Sequence, residues 1–169
     1  MKLDKEQFDE LLKLFKFRKF DELDIKIKIL MKANPNSYPL TNLYGAYKKA
    51  NGNFKSAEEA FKKSIDIDKN MPDGHNNLGL LYAEQSKYVD SIKCFEKAIK
   101  LNSKNPHFYN NLGNSYAQID EHNVAIKNFK LALNCDHNFF LSYNNIGLVK
   151  YKLKKFEEAI EYFKKSILI

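Results

Sequence analysis

Asparagine carries the one chemical pattern that recurs along this sequence. Asn42, Asn76, Asn110 and Asn144 stand 34 residues apart, and Asn77, Asn111 and Asn145 directly follow three of them, with Leu43 breaking the second series. A carboxamide offers both N–H donors and an acceptor oxygen. A row of them could pair with the backbone of an extended peptide, largely independent of that peptide's side chains. The competing reading is structural, in which the amides keep a groove wet and satisfy helix packing.

Other reactive side chains form no such pattern. His75, His107, His122 and His137 lack metal-ligand spacing such as H-E-x-x-H. Cys94 and Cys135 fall where small apolar residues would pack, so both are expected to be core thiols. No glycine-rich phosphate loop or nucleophile elbow occurs. The expectation is a non-enzymatic chain with no cofactor and no metal.

The formal net charge is +7, yet every basic residue except Arg18 is a lysine. Phosphate and base-edge recognition favours the bidentate guanidinium, so no nucleic-acid partner is expected. Lys62, Lys63, Lys97, Lys130, Lys164 and Lys165 recur in two adjacent slots of the 34-residue period and read as a solubilising surface. No stretch reaches the roughly 18–20 apolar residues of a membrane span. The charged start, MKLDKEQFDE, has no apolar core of a secretory signal. Two cysteines do not make a disulfide framework, and a reducing, cytoplasmic setting is expected.

The elements that must position the amides follow from the same period. Gly45, Gly79, Gly113 and Gly147 are each separated by 34 residues. Sixteen residues after each comes phenylalanine: Phe61, Phe95, Phe129 and Phe163. Twelve after each comes a small residue: Ala57, Ser91, Ala125 and Ala159. Nine after each the slot is aromatic, except that His122 replaces the ring residues Phe54, Tyr88 and Phe156. Steps of four, three and one between the apolar slots are helical. Small residues let paired helices approach, and neither helix can bury its stripe alone, so neighbouring repeats must stack. Asn51-Gly52-Asn53 and the segments around Pro35, Pro72 and Pro106 mark the turns. Glu58-Glu59 and Glu157-Glu158 are expected to open second helices, where carboxylates meet the positive end of the dipole.

These residues resemble the tetratricopeptide repeat (TPR) family. His75-Asn76-Asn77-Leu78-Gly79, Tyr109-Asn110-Asn111-Leu112-Gly113 and Tyr143-Asn144-Asn145-Ile146-Gly147 look like its first-helix motif. Ser91 to Ala98 and Ala125 to Phe129 look like its second-helix motif. The asparagine-bearing repeats are similar to those in the superhelical arm of O-GlcNAc transferase. The resemblance implies an all-α, right-handed α-α superhelix (a TPR solenoid) of about five helix-turn-helix repeats. Their expected spans are 4–37, 38–71, 72–105, 106–139 and an incomplete 140–169. First helices would line a concave groove in which family members bind peptides or proteins. On that implication the groove residues are Asn42, Asn76, Asn77, Asn110, Asn111, Asn114, Asn144, Asn145, Leu80 and Tyr151, with Leu12, Phe15 and Leu148 as further lining. A carboxylate clamp for chaperone tails would need lysine where Phe8 and the asparagines stand, and it looks absent.

Repeat arrays usually close with a polar-faced helix. Here the last stripe, Ile160, Phe163 and Ile167, is followed only by Leu168 and Ile169. The expectation is a chain cut from a longer protein, the alternative being an edge that pairs with another molecule, including a second copy. The functional expectation is a non-catalytic protein-interaction module that takes an extended peptide or partner segment in its groove. Two alternatives stand beside it: the substrate-recruiting arm of a larger enzyme such as a glycosyltransferase or sulfotransferase, and an assembly scaffold that self-associates through its C-terminal edge.

Overall fold

The computed structural model describes residues 3–168, and all of the regular structure among them is helical. Two compact units meet in sequence between Leu81 and Tyr82. The N-terminal unit holds α1 (Lys5–Lys16), α2 (Phe20–Ala33), α3 (Tyr38–Ala50), α4 (Phe54–Ile67) and the start of α5 (Pro72–Glu84). The C-terminal unit holds the end of α5 with α6 (Tyr88–Leu101), α7 (Pro106–Gln118), α8 (His122–Cys135), α9 (Phe140–Lys152) and α10 (Phe156–Ile167). The helices α3, α5, α7 and α9 each begin 34 residues after the one before.

In the N-terminal unit, Asp4 caps α1 by accepting from the Gln7 backbone N–H at 2.7 Å, and the Gln7 side chain reaches back to complete a capping box. Leu11, Leu23, Ile27 and Leu40 are fully buried together, so the first helix pair keeps the apolar phase although it lacks the glycine. Gly45 shows why the small slot exists. A Cβ there would lie 2.6 Å from the Phe61 ring, closer than any carbon–carbon contact tolerates.

The C-terminal unit repeats that contact. A Cβ on Gly113 would sit 2.6 Å from Phe129, and one on Gly147 would sit 2.6 Å from Phe163. Around Phe129 pack Ala125, Ala132, Leu133, Ile146 and Val149. Of the buried polar residues here, the Ser91 and Ser115 hydroxyls share a hydrogen bond of 2.9 Å. Pro106 occupies the first turn of α7, where its missing N–H leaves no bond unmade.

Every turn within a helix pair has one backbone design. Arg18, Gly52, Ser86, Asp120 and Lys154 occupy the same repeat slot, and all have φ between 56° and 75°. On either side, the N–H of Lys19, Asn53, Lys87, Glu121 and Lys155 bonds the carbonyl five residues back at 2.8–2.9 Å, or 3.0 Å at Glu121. This is the six-to-one bond of a Schellman ending. Only one of the five residues in the left-handed conformation is a glycine.

Two sequence expectations need correction. Glu58 and Glu59 do not open α4, which starts at Phe54 and has no acidic residue in its first turn; Glu58 instead pairs with Lys62 one turn on, at 2.7 Å. Glu157 and Glu158 do stand in the first turn of α10. Cys94 is buried, but Cys135 is exposed, because it is the last residue of α8 and the chain leaves the core there. The final stripe is confined to α10, which ends at Ile167, and Ile169 lies outside the described residues.

Candidate peptide-binding site

The amides lie on first helices, and the structure links them across repeats. In the N-terminal unit, Asn77 Nδ2 on α5 donates to Asn42 Oδ1 on α3 at 3.1 Å. In the C-terminal unit, Asn145 Nδ2 on α9 donates to Asn110 Oδ1 on α7 at 2.9 Å. Both bonds join residues 35 apart. The second asparagine of one repeat therefore gives its proton to the first asparagine of the repeat before it. Asn76 Nδ2 also approaches Asn77 Oδ1, at 3.5 Å.

The members of the row differ in exposure. Asn110 is only 5% exposed, and its oxygen also accepts from the Ser142 hydroxyl at 3.1 Å. That amide is committed to holding α7 against α9. Asn42, Asn76, Asn77, Asn111, Asn144 and Asn145 are half-buried, and Asn114 is exposed. An amide that has given one proton retains a second N–H and, on its oxygen, lone pairs for a ligand. Leu80 is half-buried on α5. Tyr151 is exposed near the end of α9, with its ring edge-on to Phe156 at 5.6 Å.

One concavity gathers part of the expected site. A cleft of about 180 Å³ on α7, α8 and α9 is lined by Asn114, Gln118, His122, Asn145, Leu148 and Lys152, among others. It brings together Asn114, Asn145 and Leu148; Asn144 and Tyr151 are not among its lining residues. Sequence reasoning noted His122 only as a departure from the aromatic slot, and it missed Gln118 and Lys152. The His122 Nδ1 atom is buried and has no hydrogen-bond partner among the described residues. Its Nε2 lies 3.7 Å from Asp120 Oδ1. Asp120 also accepts from Lys152 Nζ at 2.6 Å, and that ammonium holds the Asp120 carboxyl below the usual carboxylate range. The lining mixes apolar side chains with amides and the ion-paired Lys152, a combination that suits a segment of polypeptide.

No group of His, Cys, Asp or Glu among the described residues could hold a metal ion. No described helix is long and apolar enough to cross a membrane.

Models of the tetratricopeptide repeat match residues 42–71 and 106–136, 79–120 and 140–169. The chain belongs to the tetratricopeptide repeat family. As a TPR protein it carries the family's interaction-module fold. No curated protein matches it in sequence. Among solved structures, a crystal structure of MamA aligns with a TM-score of 0.80 at 25% identity, covering 99% of this chain and 95% of that one. The structure from a functional characterization of Pseudomonas aeruginosa pilF aligns with a TM-score of 0.87 at 17% identity, over 96% of this chain and 74% of that one. MamA of Desulfovibrio magneticus RS-1 aligns with a TM-score of 0.81 at 15% identity, over 96% of this chain and 92% of that one. The last two likenesses are of fold alone.

Proposed function

We propose that this TPR chain binds an extended polypeptide through the asparagine-bearing faces of its first helices, reading the peptide backbone more than its side chains. The repeated amide-to-amide bond carries the proposal. Asn77 and Asn145 are each held by an earlier repeat, at 3.1 and 2.9 Å, so they need little further ordering when a ligand arrives. Preorganised donors and acceptors lose less entropy on binding. A backbone needs alternating donors and acceptors at fixed positions, and one carboxamide supplies both. The cleft beside Asn114 and Asn145 would seat one side chain of such a segment.

Peptides selected from a random display library, about 12 residues long so as to span several repeats, provide the probe. Replacing Asn77, Asn111 and Asn145 together by Ala should weaken a selected peptide at least tenfold, or about 1.4 kcal/mol, with helicity retained. N-methylation of the peptide's backbone should abolish binding, while most of its side chains tolerate alanine. Binding by the triple variant equal to wild type would leave the amides a purely structural role.

A further inference from the structure

The outer face of α10 is apolar and exposed in slots that the earlier repeats of the C-terminal unit bury fully or in part. Ile167 is 81% exposed, whereas Leu133, one repeat earlier in the same slot, is 8% exposed. Phe156 and Ile160 are also exposed. With half-buried Phe163, whose ring also lies against Gly147, these residues follow steps of four, three and four, one continuous stripe of a helix. Large exposed stripes of this kind mark interaction surfaces.

The geometry points to a second copy of this chain as the occupant, with α10 packed antiparallel on α10 about a two-fold axis. The stripe is symmetric about its own midpoint. In an antiparallel pair Phe156 falls opposite Ile167, and Ile160 opposite Phe163. The charges on the flank of the stripe are also self-complementary. Glu157 lies in the first turn and Lys164 in the last, so reversal of one helix brings each Glu157 toward the other copy's Lys164, twice. A two-fold contact requires this kind of self-match. Head-to-tail stacking is disfavoured by the other end of the chain. On α1 the residues Glu6, Asp9, Glu10 and Lys13 occupy the slots held on α3 by Leu40, Leu43, Tyr44 and Tyr47, and all four are exposed. An apolar stripe laid on that face would desolvate charges without pairing them.

The contact is one short helix per copy, so the dimer is weak and concentration-dependent. Sedimentation equilibrium of the full chain from about 1 µM to about 1 mM, a range that brackets weak association, should show a monomer–dimer equilibrium and nothing larger. Ile167→Asp alters a residue that contributes almost nothing to the fold. It should weaken dimerisation at least about tenfold with the helical signal unchanged. Glu157→Lys and Lys164→Glu should each weaken self-association several-fold. Mixing those two single variants should restore it, because the mixed dimer regains both opposite-charge pairs. A chain monomeric throughout the range would leave the stripe to another partner, or to further chain, and would overturn the proposal. Growth beyond dimers, or a mixture that associates no better than its parts, would overturn it equally.

Discussion

Replacing Gly113 by Ala tests whether close approach, rather than backbone freedom, fixes the glycine slot. Gly113 lies in the middle of α7, where alanine is worth about 1 kcal/mol more than glycine in helix propensity. Propensity alone would therefore make the variant more stable. The structure gives the opposite sign. The new methyl would lie 2.6, 2.7 and 3.0 Å from three atoms of the Phe129 ring, against an optimal separation of about 3.5–4.0 Å. Phe129 is fully buried, between Ala125 and Ala132 on its own helix and Ile146 and Val149 on the next, so the ring must push neighbours to retreat by about 1 Å. Overpacking of that kind costs about 1–3 kcal/mol. Set against the propensity gain, the net loss is about 1 kcal/mol at the centre of the range. Urea unfolding followed by far-UV circular dichroism measures it. A double-mutant cycle with Phe129→Leu should recover at least about 1 kcal/mol, because the shorter side chain vacates the ring's edge. A Gly113→Ala variant as stable as wild type, or energies that simply add, would refute the close-approach argument.

Two further outcomes follow from the local structure. Burial pushes the Asp24 carboxyl up, but hydrogen bonds from Lys28, Lys48 and Tyr47 outweigh it and hold the group at about 2, against 3.8 for an unperturbed carboxyl. A carboxylate depressed on folding stabilises the fold fully above the unfolded value, and that stability is lost as pH falls from about 4 through about 2. Asp24→Asn should therefore be less stable than wild type at pH 6, by at most about 2 kcal/mol once solvent screening is allowed for, and the two should converge near pH 2; urea midpoints across that range check it. Ser86→Gly should raise the melting temperature, because Ser86 holds a φ of 58° that costs a side-chain-bearing residue about 1 kcal/mol; a fall in calorimetric melting temperature would contradict the strain assignment.

The helices were legible in the sequence because one contact, glycine against phenylalanine, recurs at Gly45, Gly113 and Gly147 and leaves both partners at a fixed spacing. The phase of each helix follows from that, but its ends do not. Glu58 looked like an opening carboxylate and lies a turn inside α4, and Cys135 looked like a core thiol and sits at the exposed end of α8. The left-handed turn slot escaped notice because four of its five occupants are Arg, Ser, Asp and Lys, none of which announces a positive φ. The amide row was visible as a pattern, yet its pairing was not. The bonds cross from one repeat to another at a separation of 35, one more than the period, and only the packing of first helices shows which amides meet. His122, Gln118 and Lys152 share a cleft with Asn145 although no motif joins them, since they come from the ends of three separate helices.

The amide bonds have a sense as well as a spacing. In each unit the N–H comes from the later repeat and the oxygen from the earlier one, so within a unit the carboxamide dipoles point one way. A polypeptide strand is itself polar, and its N–H and C=O groups change places when the chain runs backward. If the proposed peptide binding holds, a row oriented in this manner would discriminate between the two directions in which a strand can lie on it. A strand bound through its backbone would take one N-to-C direction on it, whatever the order of its residues.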